Sequence, residues 1–338
     1  MSVYIKSIAQ VSTQTPLDDG FFRQPQVCAG PYVRCVEADY KSFISPVAAR
    51  RMGPVLKRAI ATSVAALKQA GVEEPDAIVC GTGLGCIENT EKFLSAMIEN
   101  NETCLQPTFF INSTHNTIAS QVATFLKCHG YNSTYAHLGI SFESALMDVL
   151  MQMELELGMI STALVGGHDE MTPTYFKLFD KVKYWDAPMG ECAVSVVIGN
   201  ERGEGDLCEL KDVDLMYSPS NGELSSRLAA FLGRHGLAAG DIDCIVTGRN
   251  GDSRYDGSYD SFLADNFAGD ILECRYKHVF GESFTAPAYG LLLASEILHT
   301  GTVPEAYVCG GKAGGELRNI LIVNSFQSKD WSFVLLGR

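Results

Sequence analysis

The sequence is short of positive charge. Lys and Arg number 26 against 40 Asp and Glu, a formal net charge of −14. Attraction to DNA, RNA and anionic membranes comes from clustered Lys and Arg, so neither nucleic acid nor membrane is expected as a partner. No stretch approaches the ~20 apolar residues that a membrane helix needs. The N-terminus, Met1-Ser-Val-Tyr-Ile-Lys-Ser-Ile8, alternates like a strand and carries no apolar leader. The 11 Cys include no CxxC pair and their spacing is irregular, which excludes a zinc framework. Several lie in apolar runs, such as Ala77-Ile-Val-Cys80 and Tyr307-Val-Cys309, where a reduced thiol serves as a small hydrophobe. The odd count without a leader gives the expectation of a reduced, cytoplasmic protein. No metal and no cofactor are expected.

What is present is an ordinary globular composition, 46% hydrophobic over 338 residues, with ample length for a large core and too much for one small domain. Apolar helical patterns are expected over Arg51–Ala70, Thr117–Cys128, Ser141–Leu157, Leu224–His235 and Ala286–Thr300. Gly71, Gly158 and Gly301 stop three of them. Buried strands are expected at Asp76–Gly81, Thr162–Gly166, Ala193–Gly199 and Asp243–Gly248. Strands and helices alternate throughout, so the fold class is α/β. Two halves, 1–200 and 201–338, divide after the charged connector Asn200–Asp206. They echo each other: each has a strand ending in Gly (Ile78–Gly81 and Ile245–Gly248), and each has a long small-residue helix before a strand.

Gly81-Thr-Gly-Leu-Gly-Cys86 follows a strand and approaches the dinucleotide fingerprint, but Cys86 stands where its last Gly belongs and no acidic strand end follows. A tight turn accounts for it.

From about Arg50 to the C-terminus, a series of blocks resembles the β-ketoacyl synthase branch of the thiolase superfamily. They are Arg50-Arg-Met-Gly-Pro54, Gly81-Thr-Gly-Leu-Gly85, Asn112-Ser-Thr-His-Asn-Thr117, Tyr135-Ala-His-Leu-Gly-Ile-Ser-Phe-Glu-Ser-Ala-Leu146, Leu164-Val-Gly-Gly-His-Asp-Glu170, Gly190-Glu-Cys-Ala193 and Lys277-His-Val-Phe-Gly-Glu282. Their order and spacing carry the resemblance. It implies a thiolase-like five-layer αβαβα fold with two pseudo-repeated halves, and a dimer.

In that family a Cys at a helix N-terminus attacks an acyl thioester, aided by the helix dipole and backbone N–H groups. Two His residues hold the malonyl carbonyl. Carried over, the nucleophile position is Ser141. A hydroxyl is a far poorer nucleophile than a thiolate unless a base activates it. The first His falls on Asn250 by the following Gly, or on Gly248 counted from the strand. The second falls on Glu282, and the family Lys before it is kept as Lys277. Lys277 and Arg249 are candidate partners for Glu282. The family's C-terminal glycine loop is expected after Asn324-Ser-Phe326, where this chain reads Gln327-Ser-Lys-Asp-Trp331. Phe142 stands at a position where the family has a small residue, so it either blocks or lines an acyl tunnel or is a core phenylalanine. The segment between Glu170 and Gly190 is shorter than in active members, at a cost to the tunnel wall or the dimer rim.

The resemblance therefore implies a ketosynthase relative with altered catalytic positions. The leading expectation is a non-catalytic, chain-length-factor-like partner of an active ketosynthase, as a heterodimer, or else a homodimer. Acyl carrier protein is its further partner, in type II fatty acid, polyketide or aryl-polyene-like biosynthesis. The alternative is an acyltransferase, thioesterase or decarboxylase using Ser141 with Glu282 or His137 as base. A third possibility is a stand-alone module that binds acyl thioesters or carrier protein.

Overall fold

The structure is a computed structural model that describes residues 2–155, 160–267, 269–312 and 314–338. The first half holds β1 (Tyr4–Val11), α1 (Gly20–Arg23), α2 (Pro46–Ala49), α3 (Pro54–Ala70), β2 (Ala77–Gly81), α4 (Ile87–Glu99), α5 (Pro107–Ile111), α6 (Thr117–Leu126), β3 (Tyr131–Tyr135), α7 (Ser141–Glu154), β4 (Thr162–Asp169), α8 (Pro173–Lys181) and β5 (Cys192–Gly199). The second holds β6 (Cys208–Tyr217), α9 (Asn221–Gly233), β7 (Cys244–Thr247), α10 (Gly257–Asn266), β8 (Leu272–Arg275), α11 (Lys277–Phe280), α12 (Pro287–Thr300), β9 (Val308–Gly310), β10 (Asn319–Phe326) and β11 (Asp330–Gly337).

Strand order shows the duplication. The first half runs β3-β2-β4-β5-β1, and the second, read from its far side, runs β8-β7-β10-β11-β6, with β9 added outside β8. Directions match as well: β2 is parallel to β3 and β4, and β7 is parallel to β8 and β10. β5 is antiparallel to β1 and β4, as β11 is to β6 and β10. The halves join where β1 and β6 pair at Tyr4–Glu209 and Ile5–Cys208.

Three apolar cores separate the five layers. The central one packs α7 and α12 between the inner faces of both half-sheets, through Phe142, Leu146, Val149, Tyr289, Leu293 and Ile297 among others. α7 and α12 are apolar on nearly every face, as helices buried on both sides must be. The first outer core packs α3 and α6 on the first half-sheet, and the second packs α9 and α10 on the other.

Local chemistry sets the boundaries. α3 starts at Pro54 rather than Arg51, because Gly53 is extended and proline is pre-set for the first helical position. Thr117 begins α6, which closes two residues early as Lys127 turns left-handed at φ 57°. The expected end of α7 at Leu157–Gly158 lies outside the described residues. β6, α8, α10 and β8 are elements the periodicity reading passed over. Among the described residues no helix is long and apolar enough to cross a membrane.

Candidate functional site

Ser141 is fully buried and opens α7 directly after the tight turn Leu138–Ile140. β2 ends flush against it: a Cβ on Gly81 would lie 2.5 Å from the Ser141 carbonyl oxygen, so only glycine fits there. The Ser141 hydroxyl is engaged within its own turn. It donates to the Leu138 carbonyl at 2.7 Å and accepts from the His137 backbone N–H at 2.8 Å. The His137 ring turns to Ser144 instead, with Nδ1 3.1 Å from its hydroxyl. That hydroxyl donates to the Ile140 carbonyl at 2.9 Å, so Nδ1 carries the proton and donates. His137 thus meets Ser141 through its backbone, not through a basic ring nitrogen.

Asn250, Lys277 and Glu282 converge. The Glu282 carboxylate accepts from Lys277 Nζ at 2.9 Å and from Asn250 Nδ2 at 2.7 Å on the same oxygen. Glu282 and Lys277 are both buried. Arg249, the other partner expected for Glu282, is committed elsewhere. It pairs with Glu273 at 2.6 Å and with Asp260 at 2.7 Å. Gly248 also borders the cluster, because a Cβ there would lie 2.5 Å from Asn324 Oδ1.

The cluster extends into residues the sequence reading did not single out. Lys277 Nζ lies 3.4 Å from Asn324 Oδ1. Asn324 Nδ2 in turn donates to the Gly139 carbonyl at 3.0 Å and to Glu143 Oε1 at 2.9 Å. Ser332 donates to the same Glu143 oxygen at 2.7 Å. A polar chain therefore runs Asn250–Glu282–Lys277–Asn324–Glu143–Ser332 behind the Ser141 turn. Desolvation pushes the Glu143 carboxyl up to about 7, against the hydrogen bonds from Ser332 and Asn324 and the Lys277 charge, which all pull it down. One signal was available in the sequence: Glu143 is an acidic residue inside an apolar helix, two positions after the nucleophile position.

Two more buried carboxylates fasten the neighbouring segments. Asp169 accepts from the Gly83 and Leu84 N–H groups and from the Thr82 and Thr285 hydroxyls, each at 2.9 or 3.0 Å. It ties the glycine turn after β2 to the chain after Glu282. Glu170 accepts from Val55 N at 3.2 Å and Glu88 N at 3.0 Å, capping α3 and α4 together. Burial raises both carboxyls, Glu170 to about 7.

Phe142 points away from the polar chain. Its ring sits against Gly167 of β4, where a Cβ would come within 3.0 Å of it, and it belongs to the central core. Outside the Ser141 turn the space is aromatic. Phe326, Phe284, Trp185, Tyr184 and Phe179 pack with ring centroids 4.7 to 6.4 Å apart. The segment after Asn324 is a tight hairpin joining β10 to β11, with Gln327 at φ 53° and Ser328 at φ 56°. Among the described residues no group of three or more His, Cys, Asp or Glu is placed to hold a metal ion.

Residues 28–205, more than half of the chain, match the model of the β-ketoacyl synthase N-terminal domain. The chain belongs to the β-ketoacyl synthase family. No curated protein sequence matches it. Solved structures match it over nearly the whole length. A β-ketoacyl synthase from Burkholderia phymatum STM815 has a TM-score of 0.82 at 15% identity, covering 100% of this chain and 99% of that one. The ishigamide ketosynthase/chain length factor has a TM-score of 0.80 at 16% identity, covering 99% and 98%. A type II polyketide acyl-carrier protein in complex with its ketosynthase bound to the hexaketide gives 0.77 at 13% identity, covering 99% of each. At these identities the likeness is one of fold, the thiolase-like five-layer arrangement with two pseudo-repeated halves. Of the positions carried over above, Asn250, Lys277 and Glu282 are brought together, on the loop after β7, the start of α11 and the loop after it, and Ser141 stands at the start of α7.

Proposed function

We propose that this chain is a non-catalytic subunit of the β-ketoacyl synthase family, a chain-length-factor-like partner of an active ketosynthase that acts on carrier-bound acyl chains. The observation that carries this reading is the state of the catalytic positions. The Ser141 hydroxyl is spent on its own turn, with no side-chain base in contact among the described residues. Decarboxylation builds negative charge on an enolate, which the family meets with neutral or cationic donors. Here the position of one such donor holds the carboxyl of Glu282, and the local cation, Lys277, is bound to it.

The alternative, acyl transfer through Ser141, needs a base at its hydroxyl. Glu282 is held by Lys277 and Asn250, and the His137 ring by Ser144. Pairing is supported by surface chemistry. Among the described residues, β3 pairs with β2 on one side only, leaving a row of unpaired backbone groups. Leu138, just after β3, is 47% exposed, and Phe110 and Ile111 on α5 are 57% and 65% exposed. The ketosynthase/chain length factor and carrier-protein complexes among the fold neighbours support the same partners for this chain.

The test is intact-mass spectrometry after incubation with acyl-charged carrier protein, alone and with the ketosynthase encoded at the same locus. The expected outcome is no acyl adduct on this chain, co-purification with the ketosynthase, and a changed product length when it is present. An acyl adduct mapped to Ser141 on the isolated chain would overturn the reading.

A further inference from the structure

We infer that Trp185, Phe284 and Phe326 form a built-in plug that closes the Ser141 centre of this chain, and that Arg254 and Asp252 latch it in place. The contacts that define the plug lie on the glycines around the serine. A Cβ on Gly139, in the turn that delivers Ser141, would lie 2.3 Å from the Phe326 ring. A Cβ on Gly83, two residues past the glycine that abuts Ser141, would lie 2.3 Å from Phe284 Cβ. Both aromatics therefore rest directly on backbone beside Ser141, which is fully buried. Phe284 and Phe326 touch each other at 5.7 Å between ring centroids, and Trp185 packs on both, 5.0 Å from Phe284 and 6.4 Å from Phe326. It is 3% exposed.

Trp185 is delivered by the short segment between α8 and β5, and that segment is tied down on both sides of it. The Arg254 guanidinium donates to the Lys183 carbonyl at 2.7 Å and the Tyr184 carbonyl at 3.5 Å. The Asp252 carboxylate accepts from the Asp186 N–H at 2.9 Å and pairs with Arg254. Glu282, in the polar chain, joins the same lid, its N–H bonded to the Pro188 carbonyl at 2.7 Å and its carbonyl to the Gly190 N–H at 2.8 Å. Phe326 is the last residue of β10, where it pairs with Asp330 of β11. The consequence is a specificity rule: an acyl thioester is excluded from this chain's own centre by shape, independently of the chemistry of residue 141.

Alkylation of the Ser141→Cys variant tests this, with peptide mapping to separate the new thiol from native ones. This assay reads access alone and needs no partner ketosynthase, so its result is separable from whether the chain pairs with one. Iodoacetamide should modify the thiol at 141 at least ~100-fold more slowly than exposed Cys104, because reaction requires a local opening. Adding Arg254→Ala should raise its rate ~10-fold, and Trp185→Gly should raise it further, with added indole restoring protection by filling an apolar cavity. Equal rates at 141 and 104 in the single variant would overturn the plug, as would no change on Trp185→Gly. If Ser141→Cys fails to fold, hydrogen exchange of amides 138–144 decides: slow exchange in the unmodified chain that quickens on Arg254→Ala upholds the plug, and fast exchange in the unmodified chain overturns it.

Discussion

At Glu143 a single side chain sets a pH dependence. Its carboxyl titrates near 7 in the fold, above the ordinary value of about 4.3. The folded state therefore holds the proton more tightly than the unfolded chain. Its contribution to stability is complete below the ordinary value and declines as pH rises through about 7. Glu143→Gln keeps an acceptor for Asn324 and Ser332 and removes the ionisation. It should gain about 1–3 kcal/mol over the parent between pH 5 and pH 8, read as the difference in urea unfolding free energy at the two pH values. Glu170 shares this window and should leave a residual slope in both proteins. Lys277 makes a second case. Lys277→Ala strands the Glu282 carboxylate in a buried site and should cost about 3–5 kcal/mol. Lys277→Met combined with Glu282→Leu should recover most of that in the same unfolding experiment, because a buried pair and an apolar pair of similar volume are close in energy. Glu143 left one trace in the sequence, an acidic residue in an apolar helix, but neither its role nor that of Asn324 in the network was legible. Both sit in apolar runs, and which of their neighbours is polar depends on residues some 180 positions away.

At the scale of elements, the β10–β11 hairpin carries strain. A turn with φ > 0 at both central residues favours Asn-Gly, whereas this one uses Gln327 and Ser328. Replacing them with Asn and Gly should stabilise the chain by about 1 kcal/mol, seen as a raised Tm of the same two-state transition. The sequence told only that a glycine loop was missing at this place; the hairpin and the position of Phe326 over Gly139 follow from the β10–β11 register. β6 was missed. Cys208 and Leu210 share one phase and Val213 and Leu215 the other, with charged residues between them, because the pairing with β11 shifts register between Leu210 and Asp212. Those charges pair across to α9, as Asp214 does with Arg227 at 2.5 Å. α7 and α12 were the most legible helices, because burial on all sides leaves a continuous apolar signal.

At the scale of the whole molecule, partner binding is the open surface question. Leu138→Lys and Phe110→Lys each place a charge on an exposed apolar position without touching the core. Each should weaken co-purification with the ketosynthase about 10-fold or more, with the circular dichroism spectrum unchanged. Undiminished binding by the folded variants would locate the interface elsewhere.

The sequence by itself determined the α/β class, the order of most strands and helices, and the family. These are carried by local periodicity, glycine stops and short motifs, which are properties of neighbouring residues. Only the tertiary structure decided how the carried-over residues are engaged. It engaged the Ser141 hydroxyl in its own turn, gave Glu282 to Lys277 and Asn250 rather than Arg249, put Phe142 in the central core, and packed Trp185 against Phe284 and Phe326. The Ser141 and Lys277–Glu282 contacts are close in sequence, but the Asn250, Phe142 and Trp185 contacts join segments tens of residues or more apart, set by which faces two duplicated half-sheets bury against α7 and α12, and no local pattern encodes them.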